Sequence, residues 1–247
     1  MQSTAMTHTE RLMKRVFQIA KRGKGRVSPN PLVGALVVKN GSIVSEGYHK
    51  KAGTEHAEVI AIKKAGKNIR GSTMFINLEP CCHFGRTPPC TDTIIKSGIK
   101  EIYIGIQDPN PLVSGKGITS LRKNKIKVHT GILEEEAREL NEFYFTFMED
   151  KRPFIILKIA QTIDGKIADV SGNSKWITNE YARRKVHKLR NEVDAILTGI
   201  GTVQADNPQL TARLVTKTKE PFRIILDSRL RIQEKATVVK HGTIIAT

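Results

Sequence analysis

The sharpest chemistry in this chain is carried by His56-Ala57-Glu58, Glu79-Pro80-Cys81 and Pro88-Pro89-Cys90. One imidazole and two thiolates suit zinc, and three protein ligands leave a fourth position for water, as catalytic sites do. Bound zinc lowers the pKa of that water to about 7. Glu58 lies two residues beyond His56, in the first turn of the helix that His56 opens, and is placed to move the proton as general acid and base. H-x-E followed by P-C and a further Cys is the pattern of zinc deaminases, in which the Glu is not a ligand. Both cysteines are expected just before or at a helix start, where orphan N–H groups and the positive dipole end favour a thiolate.

Each piece alone is weak. His-Ala-Glu is an ordinary solvated helix start, and two cysteines nine positions apart can be buried small hydrophobes. Eight residues separate Cys81 from Cys90, instead of the two of P-C-x-x-C. Cys82 is a rival ligand, but adjacent side chains converge on one ion only with strain, so Cys90 is favoured. A non-catalytic zinc module, with Glu58 at the surface, is the bland alternative.

The elements that must position these residues follow from periodicity. Apolar spacing predicts helices over Glu10 to Lys21, His56 to Ala65, Cys90 to about Gly98, Ile118 to Lys123 and Glu134 to Met148. Strand patterns cover Val33 to Val38, Ile43 to Tyr48, Thr73 to Leu78, Glu101 to Ile106 and Lys127 to Thr130, the first two joined by Asn40-Gly41, a hairpin signal. Strands separated by helices imply a layered α/β sheet with a leading antiparallel hairpin. A boundary is expected at the charged stretch from Glu149 to Pro153, giving domains 1–150 and 151–247. After it come a strand at Phe154 to Ile159, a turn at Asp164-Gly165, a helix at Asn179 to Asn191, strands at Ala195 to Gly199 and Phe222 to Leu226, a loop at Ala205 to Pro208 and a last strand at Gly242 to Thr247. The glycine pair Gly199-Ile200-Gly201 after a strand permits close backbone approach to a phosphate.

Composition limits the class. In 247 residues the formal net charge is +17, spread over both halves: 23 basic against 15 acidic residues in 1–150, and 18 against 9 in 151–247. No apolar run approaches the roughly 18 residues of a membrane span, and no signal-peptide core precedes the first helix. Three cysteines clustered in ten residues make no disulfide framework. A soluble, cytoplasmic protein is expected. The charge attracts polyanions, but aromatics are only 5% and no basic-aromatic interleaving marks a nucleic-acid surface.

With these motifs in view, the chain resembles the bifunctional deaminase/reductases of riboflavin biosynthesis, from about residue 11 to its end. The resemblance rests on Asn30-Pro31-Leu32-Val33-Gly34, the His56 and Cys81 motifs, Gly85-Arg86-Thr87-Pro88-Pro89-Cys90, Asp108-Pro109-Asn110-Pro111, Ser174-Lys175-Trp176-Ile177-Thr178 and Ala205-Asp206-Asn207-Pro208. It implies a cytidine-deaminase-like α/β/α domain followed by a dihydrofolate-reductase-like domain. The implied reactions are deamination of 2,5-diamino-6-ribosylamino-4(3H)-pyrimidinone 5′-phosphate, then NADPH-dependent reduction of the ribosyl group to ribityl. Carried over, His56, Cys81 and Cys90 hold zinc and Glu58 shuttles protons, while Asn30, His83 and Arg86 contact the substrate. In the second domain the resemblance puts Ala160, Trp176, Thr202, Asp206 and Ser228 at NADPH, and Ser174, Arg190, Leu210 and Arg213 at the substrate. Guanidinium groups at Arg190 and Arg213 suit a phosphate, which they bind bidentately.

The family's reductase domain continues through a Glu-Gly-Gly segment and later strands, so the second unit is expected to be incomplete. Deaminase activity alone is therefore one alternative. Another is a tRNA or nucleoside deaminase, against which the long Cys81–Cys90 loop and the second unit argue. The oligomeric state is not visible in the sequence, although edge strands in the second unit leave a homodimer open.

Overall fold

The computed structural model describes residues 6–85, 88–216 and 218–247. The chain divides into two units, Met1–Ile155 and Ile156–Thr247.

In the first unit α1 (His8–Ala20) starts from a capping box: Thr7 Oγ1 accepts from Glu10 N–H at 3.2 Å while the Glu10 carboxylate accepts from Thr7 N–H at 2.8 Å. Strands β1 (Gly34–Lys39) and β2 (Ser42–Tyr48) follow. Asn40 and Gly41 both take positive φ, 50° and 75°, which is the two-residue turn whose twist matches a hairpin. Then come α2 (Ala57–Ala65), β3 (Thr73–Leu78), α3 (Cys90–Ser97), β4 (Glu101–Ile106), α4 (Lys116–Lys123), β5 (Lys127–His129), α5 (Glu134–Leu140) and α6 (Glu142–Asp150). The sheet order is β2-β1-β3-β4-β5. β1 is antiparallel to both neighbours, and β3, β4 and β5 run parallel.

Alternating strand positions feed two cores. Ala35, Val37, Met74, Ile76, Ile102 and Ile104 pack under α2, α3 and α4 through Ala57, Ala61, Ile94, Ile118 and Leu121. Leu36, Val38 and Phe75 pack on the other side against Met13, Val16 and Phe17 of α1, with Ala137, Tyr144 and Phe145 of α5 and α6. The result is a three-layer α/β/α domain. Gly47 lets α2 lie directly on β2: a Cβ there would stand 2.1 Å from the Ala57 carbonyl oxygen, so the helix that carries His56 and Glu58 is held against the sheet.

The single helix expected over Glu134 to Met148 is instead two, broken at Asn141 (φ −122°, ψ 25°). The Asn141 side chain is fully buried and bonds the Leu32 backbone rather than facing solvent, which the turn permits and a continuous helix does not provide.

In the second unit, Asn179 caps α7 (Glu180–Glu192), its Oδ1 accepting from Ala182 N–H at 2.9 Å. β6 (Ala195–Gly199), β7 (Phe222–Leu226) and β8 (Thr243–Ala246) form a parallel sheet in that order. α8 (Ile200–Asp206) leaves β6 at once and packs Ile200 and Val203 on Ile225, Leu210 and Val238. Two expectations are corrected here. Phe154 to Ile159 forms no strand: it has no ladder partner among the described residues, and Ile155, Leu157 and Ile159 are exposed. The loop expected at Ala205 to Pro208 begins later, because Ala205 and Asp206 close the last turn of α8, which Asn207 ends in the left-handed region (φ 41°). Among the described residues no helix is long and apolar enough to cross a membrane.

Candidate active site

His56 is the N-cap of α2, with extended backbone (φ −74°, ψ 162°). Its ring is therefore turned off the helix, toward the loop after β3 and the start of α3. Cys90 is the first residue of α3, behind Pro89 at the N-cap. Cys81 lies in the loop beyond β3 and not at a helix start of its own, contrary to expectation. It meets a helix end in space: Cys90 N–H donates to Cys81 Sγ at 3.4 Å, and Thr91 N–H donates to the Cys81 carbonyl at 3.2 Å.

His56 Nδ1 is 3.2 Å from Cys90 Sγ and 3.6 Å from Cys81 Sγ, and the three ligand atoms all lie within 4.8 Å of one another. Cys82 turns away, its Sγ 3.8 Å from the Leu112 carbonyl. The hydrogen bond from Cys90, with help from His56, pulls the Cys81 thiol down to about 4 against the cost of burial. The same proton-sharing pushes Cys90 well up. The pair thus gives up one proton readily, and a cation between the sulfurs favours loss of the second. Two soft sulfurs and one nitrogen fit zinc.

Glu58, 3% exposed, stands beside this cluster with Oε2 buried and without a hydrogen-bond partner. Burial, then the Cys81 charge, raises its pKa. A buried carboxylate oxygen left unpaired is costly unless a donor enters, so this atom marks the place for one.

The cluster opens into a cavity of about 480 Å³ that Asn30, His49, His83, Asp108 and Tyr144 also line. Asn30 Nδ2 is 3.0 Å from His49 Nε2, and His83 presents a buried, unpartnered Nδ1. Arg86 lies outside the described residues. Sequence reasoning missed three residues here. His49, 2% exposed, sits edge-on to His56 at 5.3 Å, and burial lowers its pKa. Asp108 accepts from Tyr144 Oη at 3.0 Å and from Asn110 N–H at 2.8 Å, while burial lifts it to about 6. Glu79 accepts from the backbone N–H groups of Asp108, Gly115 and Ile118 at 3.2, 2.9 and 3.0 Å. Glu79 directly precedes Pro80-Cys81 and Asp108 opens the Asp108-Pro109-Asn110-Pro111 motif, but nothing local in the sequence assigns these roles.

In the second unit Arg190 is half-buried and donates to the Thr211 carbonyl at 3.3 Å. Burial, then the nearby Arg213, lowers its pKa; burial and Arg190 lower that of Lys158. These cations share one neighbourhood. Arg213 N–H donates to His187 Nδ1 at 3.1 Å, and Leu210 is buried in the small core with positive φ. Ser174 Oγ is 3.5 Å from Asp206 Oδ1. Trp176 is 71% exposed with the Arg183 guanidinium 4.2 Å over its ring. Ala160 is half-buried and Thr202 and Ser228 are exposed. Thr202 follows β6 and Ser228 follows β7, at the carboxyl edge of the parallel sheet, where open α/β sheets bind ligands.

Two family models match: the cytidine and deoxycytidylate deaminase zinc-binding region over residues 6–106, and the RibD C-terminal domain over residues 153–247. The crystal structure of a diaminohydroxyphosphoribosylaminopyrimidine deaminase/5-amino-6-(5-phosphoribosylamino)uracil reductase from Thermotoga maritima is 50% identical, with a TM-score of 0.91, covering 96% of this chain and 68% of that one. The chain belongs to the RibD family. The riboflavin biosynthesis protein RibD of Aquifex aeolicus is 54% identical over 227 residues, 92% of this chain and 64% of that protein. That of Escherichia coli is 42% identical over 244 residues, 94% and 66%. This RibD-family chain therefore spans less than two thirds of the length of these curated relatives.

Proposed function

We propose that the first unit deaminates the diaminopyrimidine ribosyl phosphate of riboflavin biosynthesis, yielding 5-amino-6-(5-phosphoribosylamino)uracil and ammonia. The observation that carries this reading is Glu58, buried with one unpartnered oxygen, beside the converging His56, Cys81 and Cys90. His56, Cys81 and Cys90 would hold zinc, which supplies Lewis acidity and brings the pKa of water to about 7. Glu58 takes one proton from water and delivers it to the ring nitrogen beside the reacting carbon, then moves the second to the leaving amine. The water oxygen stays on the ring carbon, the carbon–nitrogen bond to the amino group breaks, and ammonia leaves. Burial and the Cys81 charge raise its pKa, which strengthens Glu58 as a proton acceptor. Asn30 and His83 would hydrogen-bond the pyrimidine, and Arg86 the phosphate.

The second unit, by the same proposal, binds NADPH through Ala160, Trp176, Thr202, Asp206 and Ser228 and the substrate through Ser174, Arg190, Leu210 and Arg213. NADPH would supply a hydride to C1′ of the ribosyl group; the bond from C1′ to the ring oxygen opens, that oxygen takes a proton as a hydroxyl, and C1′ becomes the CH2 of the ribitylamine. The exposed placement of Thr202 and Ser228 at the sheet's carboxyl edge fits such a cofactor. Arg190 is half-buried with the Arg213 guanidinium near enough to lower its pKa, and two guanidinium groups so placed fit a phosphate.

A second reading, deaminase without reductase, is favoured by one observation. Leu197, Phe222, Leu226 and Ile244 share one face of β6-β7-β8 and are all exposed, whereas parallel sheets are normally covered on both faces. The test gives the purified chain the diaminopyrimidine phosphate and NADPH, and follows ammonia and cofactor absorbance together. Ammonia with steady absorbance selects this second reading. No ammonia from folded, zinc-loaded chain overturns the substrate assignment. The cytoplasmic location and a homodimer are part of the same proposal.

A further inference from the structure

Two asparagines outside the reacting group's reach hold the segment that carries Asn30. Asn77 of β3 and Asn141, between α5 and α6, are both fully buried. Asn141 Oδ1 accepts from Leu32 N–H at 2.7 Å and its Nδ2 donates to the Leu32 carbonyl at 3.0 Å. Asn77 Nδ2 donates to the same carbonyl at 2.8 Å, and its Oδ1 accepts from Gly34 N–H at 2.8 Å. The Leu32 groups lie in the loop entering β1, and the Gly34 N–H belongs to the first residue of that strand. A single amide at 141 thus answers both polar groups of Leu32, a pairing open only to a side chain with an acceptor and a donor side by side.

The consequence reaches the cavity from both ends of that amide. Asn30, Pro31 and Val33 line it just before and after Leu32, while Tyr144, Phe147 and Met148 line it from α6, which begins one residue after Asn141. We propose that Asn141 is a positioning residue of the deaminase, coupling the Asn30 loop and α6 so that the two walls of the cavity keep one spacing. This rests on the deaminase reading above.

The experiment uses the full chain and the variants N141A, N141D and N30A, with the double variant N30A/N141A. Melting midpoint and zinc content come first, then kcat and KM for ammonia release well below each midpoint. Expected for N141A is retained zinc, kcat within about threefold and KM raised about tenfold or more, the pattern of lost binding geometry rather than lost chemistry. The double variant is expected to have a KM below the product of the two single effects, since part of what Asn141 does runs through Asn30. An unchanged KM in N141A, or effects that multiply in the double variant, overturns the proposal. N141D keeps the acceptor for Leu32 N–H and covers the case in which N141A does not fold; the same KM rise is expected of it.

Amide exchange separates this from failure of the deaminase reading. If the wild-type chain releases no ammonia, that reading falls, and exchange decides the coupling: N141A should speed exchange at Leu32 and along residues 142–148 together. Faster exchange confined to Leu32 overturns the coupling.

Discussion

The backbone N–H of Cys90 donates to the Sγ of Cys81 at 3.4 Å, so one ligand's helix terminus solvates the other ligand's sulfur. This explains how cysteines nine residues apart replace a tighter pair. The intervening chain returns Cys90 to the head of α3, and the α3 N-terminus is aimed at Cys81. That donor and the Cys90 thiol hold Cys81 toward thiolate.

The first prediction separates the three cysteines. C90A should lose stoichiometric zinc after dialysis, whereas C82A should retain it with ammonia release within about twofold, because the Cys82 Sγ turns away from the cluster to the Leu112 carbonyl. Metal analysis decides it. Zinc loss in C82A with retention in C90A would reverse the assignment.

Glu58→Gln should fold, keep zinc and lose ammonia release by roughly 10²-fold or more, the scale of a positioned acid/base group. Single-turnover ammonia assays with zinc-loaded protein read this directly. Activity within tenfold of wild type would leave Glu58 a bystander and favour a non-catalytic zinc module.

Glu79→Gln should destabilise the first unit by about 1–3 kcal/mol, since an amide N–H₂ replaces an oxygen that backbone N–H groups face. In a chain of this size that is a fall in melting midpoint of roughly 3–10 °C. The Asp108 and Gly115 amides should also exchange faster. A variant that melts with the wild type would mean the three N–H groups have other acceptors.

Asp108 gives a pH signature of known sign. Burial raises its folded pKa to about 6 from an ordinary 3.8, so the folded state binds more protons than the unfolded state between those values. Its contribution to stability is therefore complete below about pH 4 and is lost as pH rises through 6, on the order of 2–3 kcal/mol. Asp108→Asn, whose amide oxygen still accepts from Tyr144 Oη and Asn110 N–H, should be more stable than wild type at pH 7. That advantage should vanish below pH 4. Denaturant unfolding at pH 4 and pH 7 measures it, and an advantage that is equal at both pH values would contradict the raised pKa.

Much of the fold was legible because local rules and tertiary packing agree in the first unit. Strands Thr73–Leu78 and Glu101–Ile106 have the predicted bounds, and Asn40-Gly41 makes the predicted hairpin, because alternation and turn chemistry are properties of neighbouring residues. In the second unit β6 and β7 were equally plain. The stretch at Phe154 to Ile159 misled because an apolar run reports propensity, while a strand needs a partner. At seven residues α8 is too short to declare a helical period, and Gly199 and Gly201 carry no apolar side chain to mark one.

The sequence by itself determined the ligand types, the place of Glu58 one half-turn from His56, and the alternation of strands and helices, since each depends on spacings of a few residues. Only the tertiary structure decided that Cys82 turns away while Cys90 returns to Cys81, that His49 and Asp108 join the cavity, and that Asn141 breaks a helix to hold Leu32. Those relationships link residues from 9 to 109 positions apart. They form because buried polar groups must find partners wherever the packed layers bring them, and no local pattern encodes which partner that is.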